Sequence, residues 1–162
     1  MEGIMKIHIP SHLLDQIQSH GEKAYPYEGA GLMLGKEENG KRTVKSLLFL
    51  ENAREEENQH NRYLITAEDM LQGEKEAARQ NSSILGIFHS HPDHPNLPSE
   101  YDREYAIPWY SYLITSVNNA KAAGSRCWRL EDNRESFIEE LIQVIPDKQE
   151  RKQSDESAKS IE

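Results

Sequence analysis

Two histidines two residues apart, at the end of an apolar run, limit what this chain can become. The run is Ser83-Ile84-Leu85-Gly86-Ile87-Phe88, and His89-Ser90-His91 follows it directly. A short apolar stretch of this length predicts a buried strand that ends where the histidines begin. Side chains alternate along a strand, so His89 and His91 should project from one face and Ser90 from the other. Pro92, Pro95, Asn96 and Pro98 cannot continue a ladder and predict a rigid loop. Ser99, with Asp102 three residues later, has the pattern of a helix start, and a helix there carries Asp102 back toward the imidazoles. The set reads as a metal site of two neutral imidazoles and one carboxylate.

Three protein ligands leave a fourth tetrahedral position for water, which separates catalytic zinc sites from closed structural ones. Water in that position ionises near neutrality, and attack on a carbonyl also needs a base to carry the proton. Glu28 is the candidate base, because it stands at the mouth of the run Gly29-Ala30-Gly31-Leu32-Met33-Leu34-Gly35, whose first residues are too small to shield it. Taken locally, Glu28 fits a surface glutamate ahead of a Gly-rich strand better than it fits a base. Ser99 can donate a hydrogen bond to a developing oxyanion, but Ser99 and Asp102 also make a Ser-x-x-Asp capping box that needs no metal. Two His and one carboxylate suit non-haem iron as well, so zinc is a preference. His94, between Pro92 and Pro95, reads as a rim residue facing solvent or substrate.

At 162 residues the chain has room for one domain with a core and too little for two. An apolar fraction of 36% is low, partly because the last sixteen residues hold only Ala158 and Ile161 as aliphatic residues. The expected division is a domain over 1–146 and a polar, disordered tail over 147–162. A net charge of −9 without a basic cluster argues against binding nucleic acid through its phosphates, and it disfavours anionic membranes too. No apolar run approaches a membrane span and no signal peptide is legible, so the expected location is the cytoplasm. Cys127 is the single cysteine, which leaves no internal disulfide; between Arg126 and Trp128 it reads as a small core residue of a strand.

The remaining elements follow from pattern. Ile4 to Ile9 predicts a strand closed by Pro10, and Ser11 then caps a helix with Leu13, Leu14 and Ile17 as its stripe and Gly21 as its stop. His8, His12 and His20 are expected to be solvated or locally bonded. Asn39-Gly40 predicts a tight hairpin turn leading into Thr43 to Leu50. Glu51 to Arg62 is polar and charged, a candidate mobile loop, and Tyr63-Leu64-Ile65 a brief strand. Thr66 caps a helix with Asp69 at its third position and Met70, Leu71, Ala77 and Ala78 inward. A helix from about Ser99 to Ala106 stops at Pro108. Trp109 to Val117 reads as a strand, Asn118 to Gly124 as a loop, and Arg126 to Leu130 and Ser136 to Ile145 as the last strands. A single α/β domain with a mixed β-sheet flanked by two or three helices is the simplest architecture.

His89-Ser90-His91, seven residues, Ser99, two residues and Asp102 resemble the signature of the JAMM (MPN-plus) metalloprotease family, including the proline after the second His and the Pro98-Ser99 pair. Glu28 with the Gly29 to Gly35 run resembles that family's glutamate strand, and the similarity extends over roughly Ile7 to Ile145. The resemblance implies zinc held by His89, His91 and Asp102, Glu28 as general base and later acid, and Ser99 stabilising the tetrahedral intermediate. It implies a mixed sheet between helices, with cytidine-deaminase-like layering, and hydrolysis of peptide or isopeptide bonds at the C-terminus of ubiquitin-like proteins. A nearly bare domain is most similar to small prokaryotic members that act on sulfur carriers ending in Gly-Gly. Such a tail is extended and poor in side chains, so it can add beside a strand edge. The mild departure is Gly29-Ala30 where members often carry a Cys, which implies more room beside Glu28. Two other readings stay open: a non-catalytic scaffold or binding module, and a zinc hydrolase of small amides.

Overall fold

The structure is a computed structural model that describes residues 4–51, 63 and 65–147. Its elements in chain order are β1 (Lys6–Pro10), α1 (Ser11–Ala24), β2 (Ala30–Glu38), β3 (Lys41–Leu50), α2 (Ala67–Arg79), β4 (Ser83–Pro92), α3 (Glu100–Tyr105), β5 (Ser111–Asn118), β6 (Lys121–Leu130) and β7 (Phe137–Ile145). The strands order as β1-β3-β2-β4-β5-β6-β7, and β1 pairs with both β3 and β7, so the mixed sheet closes on itself. Pairing is parallel for β1 with its two neighbours and for β4 with β5, and antiparallel elsewhere. The α/β expectation therefore holds. Closure was not legible, because it rests on pairing β1 with a strand more than 130 residues away.

β4 is the central strand, buried along nearly its whole length, which is why its sequence is a continuous apolar run. Its two faces meet different cores. Leu85 and Phe88 join Leu13 and Ile17 of α1, with Ile7, Ile9, Met33, Val44, Leu113 and Cys127. Ile84 and Ile87 join Ala77 of α2, with Leu32, Leu34, Leu50, Ala106, Tyr112 and Leu130. The alternation slips at Leu85 because Met33 pairs with Gly86 while Leu34 pairs with Ile84, leaving Leu85 as the extra residue of a bulge. Beyond the bulge the period is regular, so His89 and His91 share the face of Ile87, and Ser90 that of Phe88.

Several sequence expectations need correction. The strand does not end at the histidines but continues through them to Pro92, because β5 pairs with it as far as Pro92↔Val117. Ser11 is the first residue of α1, whose N-cap is Pro10 without a side-chain cap bond. Gly21 does not stop α1. It is a buried interior position at which a Cβ would lie 3.1 Å from Ser90 Cβ and 3.1 Å from Val117 Cγ2, so glycine there serves close packing of helix on sheet. Gly73 and Ala77 form the buried stripe of α2, with Met70 half-buried, whereas Leu71 and Ala78 turn to solvent. Ser111 rather than Trp109 opens β5, and the expected loop from Asn118 to Gly124 is a tight turn at Asn119-Ala120. That turn was hidden because it places Ala120 at φ 70°, where glycine is the usual marker.

The hairpin turn holds, with Asn39 at φ 54° and Gly40 at φ 78°. So does the Thr66 cap, whose side chain and that of Asp69 form a reciprocal capping box. Tyr63 and Ile65 belong to no strand. Most of the predicted mobile loop and all but the first residue of the predicted tail lie outside the described residues. Asp147 accepts from His12, whose backbone N lies 3.3 Å and ring Nδ1 2.7 Å away, a partner far off in sequence rather than a local one. Cys127 is fully buried, and burial together with the adjacent Glu140 carboxylate pushes its thiol well up, in keeping with a core residue. Among the described residues, no helix is long and apolar enough to cross a membrane.

Candidate metal centre

Alternation along β4 directs both imidazoles to one point. His89 is 1% and His91 7% exposed, and their Nε2 atoms stand 3.2 Å apart. Three prolines then turn the chain, and α3 begins with Ser99 as N-cap. The Ser99 hydroxyl accepts from Asp102 N–H at 3.0 Å, and Asp102 Oδ2 accepts from Ser99 N–H at 2.8 Å. This reciprocal box fixes the carboxylate so that Oδ1 lies 3.3 Å from His89 Nε2 and Oδ2 3.3 Å from His91 Nε2. Glu28, 3% exposed, arrives just ahead of β2 with Oε1 3.8 Å from His91 Nε2. All five residues expected from the sequence thus meet in one place, with Ser99 at its edge through the cap. A hydroxyl that accepts through one lone pair keeps its proton to donate, so capping and oxyanion readings of Ser99 are compatible. Ser99→Ala is expected to lower stability by about 1 kcal/mol through loss of the cap, measured by denaturant unfolding.

The donor chemistry fits a divalent cation. His91 Nδ1 lies 2.8 Å from the Pro95 carbonyl, an acceptor that requires N–H at Nδ1 and so leaves a lone pair on Nε2 pointing at the other donors. Burial lowers the pKa of His89, favouring the neutral imidazole that metal binding needs. Burial also opposes ionisation of Asp102, but the adjacent His89 and the hydrogen bond from Ser99 N–H outweigh it and hold the carboxyl well below its usual range. Two imidazole Nε2 atoms and a carboxylate converge away from water, a donor set that a cation between them would satisfy. Glu28, His89 and His91 each offer a donor atom within 4.8 Å of the others, and Asp102 closes the set from α3.

A cleft of about 490 Å³ opens beside these groups, lined by Glu28, His91, His94, Leu97, Ser99 and Tyr101 among others. His94 is exposed and lines it, as its rim reading predicted. The loop that makes this wall is tied to β5 and β6: Ser116 Oγ donates to the His94 carbonyl at 2.6 Å and Trp128 Nε1 to the Asn96 carbonyl at 3.1 Å. Asp93, at φ 55°, accepts from Tyr25 hydroxyl at 2.6 Å and from Asn119 N–H at 2.9 Å. These anchors were missed because each joins segments far apart in sequence. Tyr63 was missed as well; its ring packs on His89 with centroids 4.5 Å apart, and a Tyr heading a short apolar triplet carries no signal of that role.

Gly29 differs from its expected role. A Cβ there would lie 2.9 Å from Ala24 Cβ and 3.1 Å from His20 Cδ2, so α1 fills the space that seemed to be left beside Glu28.

Comparison with known proteins points the same way. A family model described as prokaryotic homologs of the JAB domain matches residues 10–131. A curated relative from Thermus thermophilus, described as a probable TtuB-protein conjugate cleaving protease, is 30% identical over 116 residues, which cover 72% of this chain and 74% of that protein. Among solved structures, a Salinibacter ruber protein is 37% identical with TM-score 0.68, covering 88% of this chain and 93% of its own. A Desulfitobacterium hafniense protein is 25% identical with TM-score 0.76, covering 87% and 94%. A JAB1/MPN domain protein from Archaeoglobus fulgidus shares the fold at 18% identity and TM-score 0.52, covering 84% and 98%.

Proposed function

The chain belongs to the prokaryotic JAB-domain family, and on that premise we propose that it is a zinc-dependent protease. Its proposed reaction is hydrolysis of the peptide or isopeptide bond that follows the C-terminal Gly-Gly of a ubiquitin-like protein of the sulfur-carrier type. The observation that carries the reading is the convergence of His89, His91, Asp102 and Glu28 at the head of one cleft. The name of the Thermus thermophilus relative supports the substrate class.

In this reading His89, His91 and Asp102 hold one zinc ion. When bound, the ion supplies a Lewis acid that brings the pKa of water toward neutrality and polarises the scissile carbonyl. Glu28 accepts the proton of the attacking water on its carboxylate and later delivers it to the leaving amine. The Ser99 hydroxyl donates to the oxygen that becomes negative as the carbonyl turns tetrahedral. The cap holds Ser99 and Asp102 together, so the oxyanion donor and the metal-binding carboxylate keep a fixed spacing.

The test combines metal analysis with cleavage of a Gly-Gly carrier bearing a C-terminal extension. Stoichiometric zinc with cleavage supports the reading. Absence of zinc after purification and zinc loading would favour a scaffold, and cleavage of small amides without capture of any ubiquitin-like partner would favour a small-molecule hydrolase.

A further inference from the structure

Ser90 sits between the two imidazoles in sequence and on the opposite face of β4. There its hydroxyl accepts from Gly29 N–H at 2.8 Å, and its own N–H donates to the Gly29 carbonyl at 3.0 Å. The Gly29 nitrogen belongs to the peptide bond that joins Glu28 to Gly29. A planar peptide held at that nitrogen fixes the direction in which the Glu28 Cα leaves the sheet. The pair extends the β2 and β4 ladder one step past Ala30↔His89, to Gly29, the residue that directly follows Glu28.

This clamp has a tight backing. Gly21 of α1 comes so close that its Cβ would lie 3.1 Å from Ser90 Cβ, while Ala24 and His20 of the same helix close on Gly29. Helix α1 thus packs closely behind both partners. One tripeptide therefore presents two ring nitrogens to the metal pocket from one face and grips the Glu28 segment from the other, with Glu28 Oε1 3.8 Å from His91 Nε2.

We infer that Ser90 is a positioning residue for Glu28, acting through the Gly29 backbone; the inference rests on Glu28 serving as proton carrier. A hydroxyl retained only for stability would affect unfolding and not turnover. Ser90→Ala removes the acceptor of Gly29 N–H and leaves both imidazoles and Asp102 in place.

The experiment uses the zinc-loaded full chain and a ubiquitin-like carrier ending in Gly-Gly with a C-terminal peptide extension. Ser90→Ala is expected to lower kcat by about tenfold, the effect of losing one positioning hydrogen bond, with KM and zinc affinity changed by no more than about twofold. In a Glu28→Gln background the same substitution is expected to cost almost nothing further, because both act through one group. Ser90→Cys, of similar size but a weak acceptor, carries the same test if Ser90→Ala fails to fold. An unchanged kcat, a loss confined to KM or zinc affinity, or full multiplication of the two losses would overturn the inference. Full activity of Glu28→Gln alone would instead overturn the underlying reading of the site.

Discussion

Glu28→Gln is expected to lower kcat by about 10²–10⁴-fold while zinc content stays at that of the wild type. The amide matches the carboxylate in shape but cannot take a proton from water at neutral pH. His89, His91 and Asp102 remain, so the metal should too. Glu28 is 3% exposed and held next to His91, so solvent is poorly placed to substitute for it. The measurement is steady-state cleavage of a Gly-Gly carrier fusion alongside elemental analysis of the same sample. Zinc loss parallel to the loss of activity would mean that Glu28 is a ligand rather than a base.

His89→Ala is expected to behave in the opposite way, losing metal and activity together. His89 Nε2 is within 3.3 Å of Asp102 Oδ1 and 3.2 Å of His91 Nε2, so its removal leaves one imidazole and one carboxylate where three donors converged. A ligand that binds only the folded state raises stability, by about 2.7 kcal/mol when present at a hundred times its Kd. Wild-type Tm should therefore rise when zinc is added to the metal-free protein, and the Tm of His89→Ala should not. A wild-type-like zinc shift in the variant would remove His89 from the ligand set.

Most of the site is legible in the sequence because it is built from short-range rules. Period two along a strand places His89 and His91 together, and a capping box places Asp102 with Ser99. Glu28 is different: its locality argues for nothing, and only its likeness to a glutamate strand joins it to residues sixty positions later. Contacts of that kind depend on pairing, here β2 beside β4, which no local pattern states. Gly21 and Gly29 show the same limit. Each looks like punctuation or spare room in the sequence, and each turns out to be where α1 touches the sheet. The turn at Ala120 carries no glycine, the usual marker of such a site, whereas the parity slip at Leu85 lies beside Gly86, a strand-interior glycine that signals a bulge.

The central claim is tested most directly by the intact mass of a sulfur-carrier-type ubiquitin-like protein, extended beyond its Gly-Gly, after incubation with the zinc-loaded enzyme. The account predicts a single new species ending at the second glycine, absent when Glu28→Gln is used in its place. An unchanged mass with one zinc bound per chain, or a cut elsewhere in the carrier, would contradict it.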